Sequence, residues 1–188
     1  MGDPAEGERA IAPLRALATP VADTVGPIPY PDIYRYTDHQ SAPHGASIRM
    51  MFAHELSDAV LDASLEAMRR ATSPYSLVHF RGLGGAMARV DPNETAFAHR
   101  DKPYFYSIIG VWLDAAEDVA VHTGWTESLW EQGRHECSGV YVNFLEEEGA
   151  DRVREAYPAV TYARLAKIKR HYDPENLFRF NQNVPPAS

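Results

Sequence analysis

Short blocks of hydrophobic residues, separated by capping and turn residues, predict strands and helices in mixed order along the chain. Residues 47–53 form a short apolar run that is typical of a strand. Ser57 is a good helix N-cap, and Leu56 and Leu61 on either side of it can form a hydrophobic staple. A helix is therefore predicted from Ser57 until Ser73-Pro74 ends it.

Two strands joined by glycines are predicted next. Apolar and polar residues alternate over 77–81 and again over 86–90, with a glycine-rich connection at 82–85. These glycines do not fit a dinucleotide loop, because the third glycine of G-x-G-x-x-G would fall on Met87 and a strand pattern follows where a helix should begin. Residues 104–113 are rich in β-branched and aromatic side chains, which predicts a further strand.

The second half of the chain reads as helices around one more strand. Asp114 and Glu117 predict the start of a long helix, with Val121, Trp125 and Leu129 on its buried side. The elements predicted after it are a strand over 138–144, a helix over 150–157 and a helix over 162–172 capped by Thr161. Strands that follow one another in sequence predict an α+β fold with an antiparallel β-sheet, helices over one face and a C-terminal helical tail.

The N-terminal stretch differs in composition. Residues 8–18 have a helical pattern, and the proline-rich residues 19–32 predict an extended arm before a short helix at 33–36.

Charge and composition restrict the partners. The net charge of −8 argues against a nucleic-acid partner, which needs a concentrated basic surface. No apolar run reaches the roughly 20 residues that cross a bilayer, so no membrane-spanning helix is predicted. The acidic start lacks the pattern of a signal peptide, and the single Cys137 cannot form an internal disulfide. We therefore expect a cytoplasmic protein with Cys137 as a packed thiol.

Most familiar catalytic arrangements are missing. The eight histidines do not show the spacing that places two metal ligands on one helix face, so no metal site is predicted. No Gly-x-Ser-x-Gly nucleophile elbow occurs either. In the strand predicted at 138–144, alternation sends Tyr141 and Asn143 to the same face. A solvated sheet face produces the same pattern, so the residues alone leave the role of this pair open.

The C-terminal segment combines apolar and basic side chains. Tyr172, Leu177, Phe178 and Phe180 require burial against some surface. Between residues 164 and 179, five basic residues outnumber two acidic ones: Arg164, Lys167, Lys169, Arg170 and Arg179 against Asp173 and Glu175. This patch is either a solvated helix face or a docking surface for an acidic or phosphate-bearing partner.

The same segment carries a family resemblance. Tyr141-Val142-Asn143, followed by YARLAKIKRHYDPENLFRFNQNVPP, closely resembles the C-terminal segment of the berberine bridge enzyme-like flavin oxidoreductases, which belong to the vanillyl-alcohol oxidase superfamily. Upstream, the stretches LATPVADTVGPIPY, ELSDAVLDASLEAM and GLGGAMARVDPNETAFAHRDKPYFYSIIGVW follow in the family order. The resemblance covers residues 10–186.

This resemblance implies part of an FAD-dependent oxidoreductase or oxidase that acts on hydroxyl-bearing small molecules. In the family, one domain holds FAD and a second domain, built on an antiparallel sheet, covers the flavin and receives the substrate. The chain resembles the second domain, with a substrate-binding α+β region at 1–137 and the berberine-like segment at 138–188 within the same structural unit. Nothing in it resembles the family's FAD-binding domain. We therefore expect a truncated arrangement in which FAD requires a partner FAD-binding domain, supplied in trans or missing from this chain, and in which the isolated chain is inactive.

The resemblance also implies site residues. Tyr141 corresponds to the tyrosine that several bacterial members use as a catalytic base, taking a hydroxyl proton while the neighbouring C–H delivers hydride to the flavin. A tyrosine in water has a pKa near 10, and full ionisation at pH 7 would cost about 4 kcal/mol, so concerted transfer is the favoured hypothesis. The amides of Asn143, Asn181, Gln182 and Asn183 are predicted to hydrogen-bond the cofactor or the returning tail.

Two points stay open. Arg89, His99 and Arg100 are candidates for the substrate side, although surface ion pairs or a buried imidazole explain them equally well. The alternative function is a non-catalytic small-ligand or protein-interaction module that has lost its FAD domain. Self-association through exposed apolar surface is expected in either case.

Overall fold

The computed structural model describes residues 2–36, 44–114, 116 and 118–188. The chain divides into two compact units, Met1–Pro43 and His44–Ser188. In the first unit, Asp3 caps α1 (Pro4–Arg15) by accepting a hydrogen bond of 3.0 Å from the amide of Ala5. A 3-10 helix at Tyr30–Tyr36 follows the proline-rich segment, close to the predicted short helix.

The second unit alternates strands with helices in chain order. Its regular elements are β1 (Gly45–Ala53), α2 (Asp58–Arg69), β2 (Leu77–Gly82), β3 (Tyr104–Trp112), α3 (Val119–Gly133), β4 (Cys137–Ser138), α4 (Ala150–Ala156) and α5 (Ala159–Tyr172). No helix in the described ranges is both long and apolar enough to span a membrane. The domain boundary predicted at residues 137 and 138 falls inside this unit and stays a prediction.

The strands form one antiparallel sheet in the order β2-β3-β1-β4. Phe105 on β3 pairs with Phe52 on β1 and with Arg81 on β2, which places these three side chains in one row across the sheet. The predicted α+β class with an antiparallel sheet is confirmed.

Helices α2 and α3 cover one face of this sheet. The core there contains Met51, Tyr106, Ile108 and Leu129, all almost completely buried. Alternate side chains of a strand point to the same face, so the strand residues that face the helices are buried together and are apolar. Cys137 packs into the same core as predicted, and burial raises the pKa of its thiol to about 11.

The opposite face is covered only in part. Met50, Phe52 and Phe105 pack there against Val140 and Leu145, which precede α4. The remainder of this face carries the candidate site.

Two predicted strands are wrong, and glycines explain both. Gly84 and Gly85 adopt positive φ angles of 135° and 56°, so the chain turns into a 3-10 helix at Met87–Arg89 where a strand was predicted. The strand predicted over 138–144 ends after Ser138, because Gly139 has a φ of 69° and a 3-10 helix follows at Val142–Phe144.

Helix α3 begins later than predicted, and it buries Trp125 and Leu129 as predicted but not Val121. Asp118 is its N-cap and accepts a hydrogen bond of 2.9 Å from the amide of Ala120. Glu117, predicted to share in the start, lies outside the described residues. Val121 is exposed, and the neighbouring His122 is buried instead because its ring stacks on Trp112 at 5.0 Å.

Helix α5 also departs from its predicted start. It begins at Ala159, preceded by Pro158, and Thr161 is a buried residue inside the helix rather than its cap.

Candidate functional site

An open pocket of about 390 Å³ lies where the second face of the sheet is left uncovered. Most of its wall is apolar: Phe52, Leu83, Met87, Phe97, Phe105 and Phe144. The aromatic rings interlock edge to face, with centroid separations of 5.7 Å between Phe52 and Phe105 and 5.5 Å between Phe105 and Phe144. Such packing fixes the shape of the wall.

Tyr141 forms one side of this pocket. Its ring packs edge to face on Phe97 at 5.8 Å and lies 5.7 Å from Phe144. Its main-chain amide donates to Sδ of Met50 at 2.7 Å, which ties it to β1. The side chain is half-buried, so the phenol is both held in place and accessible.

Asn143 lies beside it. The Nδ2 of Asn143 donates a hydrogen bond of 2.8 Å to the phenol oxygen of Tyr141. The two residues predicted to point together therefore do so, although through a 3-10 turn and not through a strand.

The three tail amides are placed differently from one another. Nε2 of Gln182 donates to the carbonyls of Leu145 and Glu146 at 2.9 and 3.0 Å, so this amide fastens the tail beside the turn that carries Tyr141. Asn181 is exposed. The side-chain oxygen of Asn183 is buried and, within the described part of the chain, accepts no hydrogen bond. A cofactor contact by these amides stays a prediction.

The three candidates for the substrate side, Arg89, His99 and Arg100, lie in different places relative to the pocket. Arg100 lines the pocket, with its guanidinium 5.4 Å from the ring centre of Phe97. His99 stacks on Phe52 at 4.8 Å and hydrogen-bonds the carbonyl of Glu155 at 3.0 Å, and burial lowers the pKa of its imidazole. His99 is therefore a packing residue behind the wall. Arg89 is exposed and does not line the pocket.

Arg81 is a pocket residue that sequence reasoning missed. Its guanidinium lies 5.3 Å from the ring centre of Phe105 and 5.9 Å from that of Phe144. The alternation of β2 places it on the same face as His79, and Nη2 of Arg81 lies 3.3 Å from Nδ1 of His79. Burial, and secondly the charge of Arg81, lowers the pKa of His79. The alternation was visible in the sequence, but the pairing of β2 with β3 was not.

The segment after α5 is ordered by Asp173, yet it exposes its apolar side chains. The carboxylate of Asp173 accepts hydrogen bonds from the amides of Leu177 at 2.8 Å and Phe178 at 3.1 Å, and it pairs with Lys169. The hydrogen bond from Lys169 is the main cause that lowers the pKa of Asp173. Phe178 and Phe180 nevertheless remain 80% and 91% exposed. The predicted burial of these rings is not met within the described residues.

The aromatic pocket and the Tyr141–Asn143 pair offer apolar and hydrogen-bonding contacts of the kind that one edge of a flavin would use. The glycines at 84 and 85 do not form a pyrophosphate site. Gly84 and Gly85 lead into a single 3-10 turn and not into the helix N-terminus that binds phosphate. Across the described ranges, no group of three or more His, Cys, Asp or Glu side chains is arranged to hold a metal ion.

Comparison with known proteins finds a match over the segment that carries Tyr141. The family model described as berberine and berberine-like matches residues 140–185, which include Tyr141, Asn143 and the tail amides.

Relatives are similar over longer stretches. The uncharacterized FAD-linked oxidoreductase YvdP of Bacillus subtilis is 26% identical over 193 residues, covering 100% of this chain and 43% of YvdP. The monolignol oxidoreductase AtBBE-like 13 of Arabidopsis thaliana is 30% identical over 139 residues, which are 66% of this chain and 26% of the relative. The chain thus spans less than half of each relative's length.

Solved structures show the same fold. A chitooligosaccharide oxidase superposes with a TM-score of 0.79 at 18% identity, covering 100% of this chain and 45% of the oxidase. The 6-hydroxy-D-nicotine oxidase of Arthrobacter nicotinovorans gives a TM-score of 0.76 at 25% identity, covering 99% of this chain and 43% of that enzyme.

Fold and matches together define the chain as a relative of FAD-linked oxidoreductases. Among these it carries the berberine-like segment, and its predicted resemblance to the berberine bridge enzyme-like oxidoreductases is confirmed.

Proposed function

We propose that this chain forms the substrate side of an FAD-dependent oxidoreductase that oxidises a hydroxyl group of a small molecule. The observation that carries the proposal is the phenol of Tyr141, which lines an aromatic pocket and accepts a hydrogen bond from Asn143. The names of the relatives, FAD-linked oxidoreductases and oxidases, support the redox character of the reaction.

Tyr141 acts as the general base in this proposal. Its oxygen takes the proton of the substrate hydroxyl as the neighbouring C–H bond breaks, and the bound flavin supplies the hydride acceptor. The amide of Asn143 already donates to that oxygen, and such a donor stabilises negative charge as it develops. Concerted transfer avoids a free phenolate, whose formation from an ordinary tyrosine at pH 7 would cost about 4 kcal/mol.

The flavin-binding part is a partner of this chain in the proposal. The exposed rings of Phe178 and Phe180 supply apolar docking surface. The buried side-chain oxygen of Asn183 has no hydrogen-bond donor among the described residues, and the partner could supply one. Coverage of 43% of YvdP leaves more than half of that relative for a flavin-binding part.

A chimera tests the assignment of the base. This chain replaces the segment of YvdP that aligns with it, and flavin reduction is followed anaerobically with a panel of alcohols and sugars. Tyr141→Phe should slow flavin reduction by about 10²-fold or more, because it removes the proton acceptor and keeps the ring. Tyr75→Phe, at an exposed tyrosine that does not line the pocket, is the matched control.

Two outcomes would reject the proposal. A Tyr141→Phe chimera that retains flavin and stays within about twofold of the unsubstituted rate would remove the base. A chimera that binds flavin but oxidises none of the panel would favour the alternative, a non-catalytic ligand-binding or interaction module.

A further inference from the structure

We propose that the pocket beside Tyr141 selects compounds that carry a carboxylate, and that Arg81 is the residue that binds it. This inference deepens the proposed function and rests on it for the reaction. The substrate would combine a hydroxyl group, a flat apolar body and a carboxylate.

The charge of the pocket wall is the first argument. Two of its residues, Arg81 and Arg100, carry guanidinium groups, and none of the described residues that line it carries a carboxylate. The rest of the wall is aromatic or aliphatic apart from the phenol of Tyr141. This local positive charge stands out on a chain with a net charge of −8.

The state of Arg81 is the second argument. Arg49 and Arg152 on the same domain pair with Glu146 and Glu148 at 3.0 Å. Arg81, in contrast, has no carboxylate partner among the described residues, and its hydrogen bond goes to a ring nitrogen of His79. Since the guanidinium can only donate, Nδ1 of His79 must be the acceptor in this hydrogen bond. Within the described part of the chain, no carboxylate therefore neutralises the positive charge of Arg81.

The geometry of Arg81 favours a planar anion. The guanidinium lies over the rings of Phe105 and Phe144, and these contacts hold its fork at the pocket edge. The side chain as a whole is exposed, so its remaining N–H groups are accessible. A carboxylate can accept two parallel hydrogen bonds from such a fork.

Arg100 has a different role from Arg81 in the proposed carboxylate site. Its Nη1 donates to the carbonyl of Met87 at 2.8 Å and its Nη2 to Oγ1 of Thr95 at 2.7 Å. These bonds fix its charge in the wall and use one hydrogen of each terminal nitrogen, while its Nε is buried and away from solvent. Arg100 therefore contributes a positive field, and Arg81 makes the direct contact. A cationic compound would be repelled by both.

The test uses the intact chain and two probes of equal shape. Binding of para-(hydroxymethyl)benzoate and of the neutral para-(hydroxymethyl)benzamide is measured by NMR titration at low salt. The benzoate should bind about tenfold more tightly than the benzamide, because one charge-assisted contact is worth that much. The preference should shrink as salt is raised, since the site is open to solvent.

Variants locate the contact. Arg81→Gln should reduce the preference to about twofold or less, and Arg81→Lys should restore part of it by returning the charge without the fork. Arg69→Gln, which removes an exposed arginine of α2, is the matched control and should leave the preference unchanged. The dispersion of the amide spectrum verifies that each variant is folded.

Equal binding of benzoate and benzamide by the unsubstituted chain would overturn the inference. A preference that survives Arg81→Gln would also overturn it, because the anion would then bind elsewhere, as on the basic segment 164–179. Neither readout involves flavin. Anion preference without turnover in the chimera would reject only the proposed function, and turnover without anion preference would reject only this inference.

Discussion

Tyr106 and Tyr141 carry the same phenol in opposite environments. Tyr106 is completely buried between the sheet and α2, stacks on Phe80 at 4.9 Å and hydrogen-bonds Ser64 at 3.0 Å. Burial raises its pKa to about 12. Tyr141 is half-buried at the edge of a pocket and receives a hydrogen bond from Asn143. Of these two phenols, only Tyr141 is positioned to exchange a proton with a bound compound.

The buried phenol makes a testable contribution to the pH dependence of stability. The folded-state pKa of Tyr106 is about 12 and the ordinary value is 10.0, so the unfolded chain releases the proton first as the pH rises. Its stabilising contribution is complete below pH 10 and is lost between pH 10 and about 12. That loss amounts to about 1.4 kcal/mol per pH unit in the free energy of unfolding.

Urea unfolding of Tyr106→Phe across this range provides the measurement. The variant should lose stability less steeply than the unsubstituted chain above pH 10, because it has no phenol to ionise. Parallel pH profiles for the two proteins would contradict the burial of this phenol in the core.

At the scale of elements, the turn after α5 orders the tail. Asp173 accepts hydrogen bonds from the amides of Leu177 and Phe178 and pairs with Lys169. Asp173→Ala should therefore speed hydrogen exchange at these two amides, with little effect on α3. Asp151→Ala, which removes an exposed carboxylate of α4, is the control. Unchanged exchange at both amides would show that the turn does not depend on this carboxylate.

The Asp173 carboxylate also makes the stability of this turn depend on pH. Its pKa is lowered below the ordinary 3.8, chiefly by the hydrogen bond from Lys169. The stabilisation that Asp173 gives to the turn is therefore complete above pH 3.8 and is lost as the pH falls through the folded-state pKa of Asp173. Exchange at Leu177 and Phe178 should show the corresponding loss of protection at low pH.

The sequence predicted the elements that carry a clear local signal. The strands β1, β2 and β3 and the helix α2 lie close to their predicted ranges because an apolar run, alternation, β-branched and aromatic content, and an N-cap respectively mark them. The strands predicted over 86–90 and 138–144 were wrong because glycines with positive φ turn the chain there. The alternating residue pattern in the sequence continues across such a turn, so the pattern alone does not show where the strand ends.

The candidate site was predictable in part, for a related reason. Tyr141 and Asn143 were recognised from the family resemblance and from their spacing, and the 3-10 turn keeps them together. Arg81 was missed because its importance depends on its pairing with Phe105, a contact between residues 24 positions apart that only the sheet register supplies. The role of Gln182 in fastening the tail depends equally on a long-range contact.

At the scale of the whole molecule, two of the uncovered apolar surfaces bear on the proposed function. The pocket beside Tyr141 is open, and the rings of Phe178 and Phe180 are exposed on an ordered tail. Large exposed apolar surface is typical of a binding site. Both features are accounted for if a flavin-binding part packs against this chain, and self-association of the isolated chain is expected for the same reason.

The visible absorption spectrum after incubation with FAD and desalting shows whether this chain needs a flavin-binding partner. It is recorded for the chain alone and for the chimera with the flavin-binding part of YvdP. We expect a colourless isolated chain and a chimera that retains flavin absorbance. Flavin retained by the isolated chain would contradict the need for a partner domain, and a chimera that is folded but colourless would contradict the placement of this chain at a flavin site.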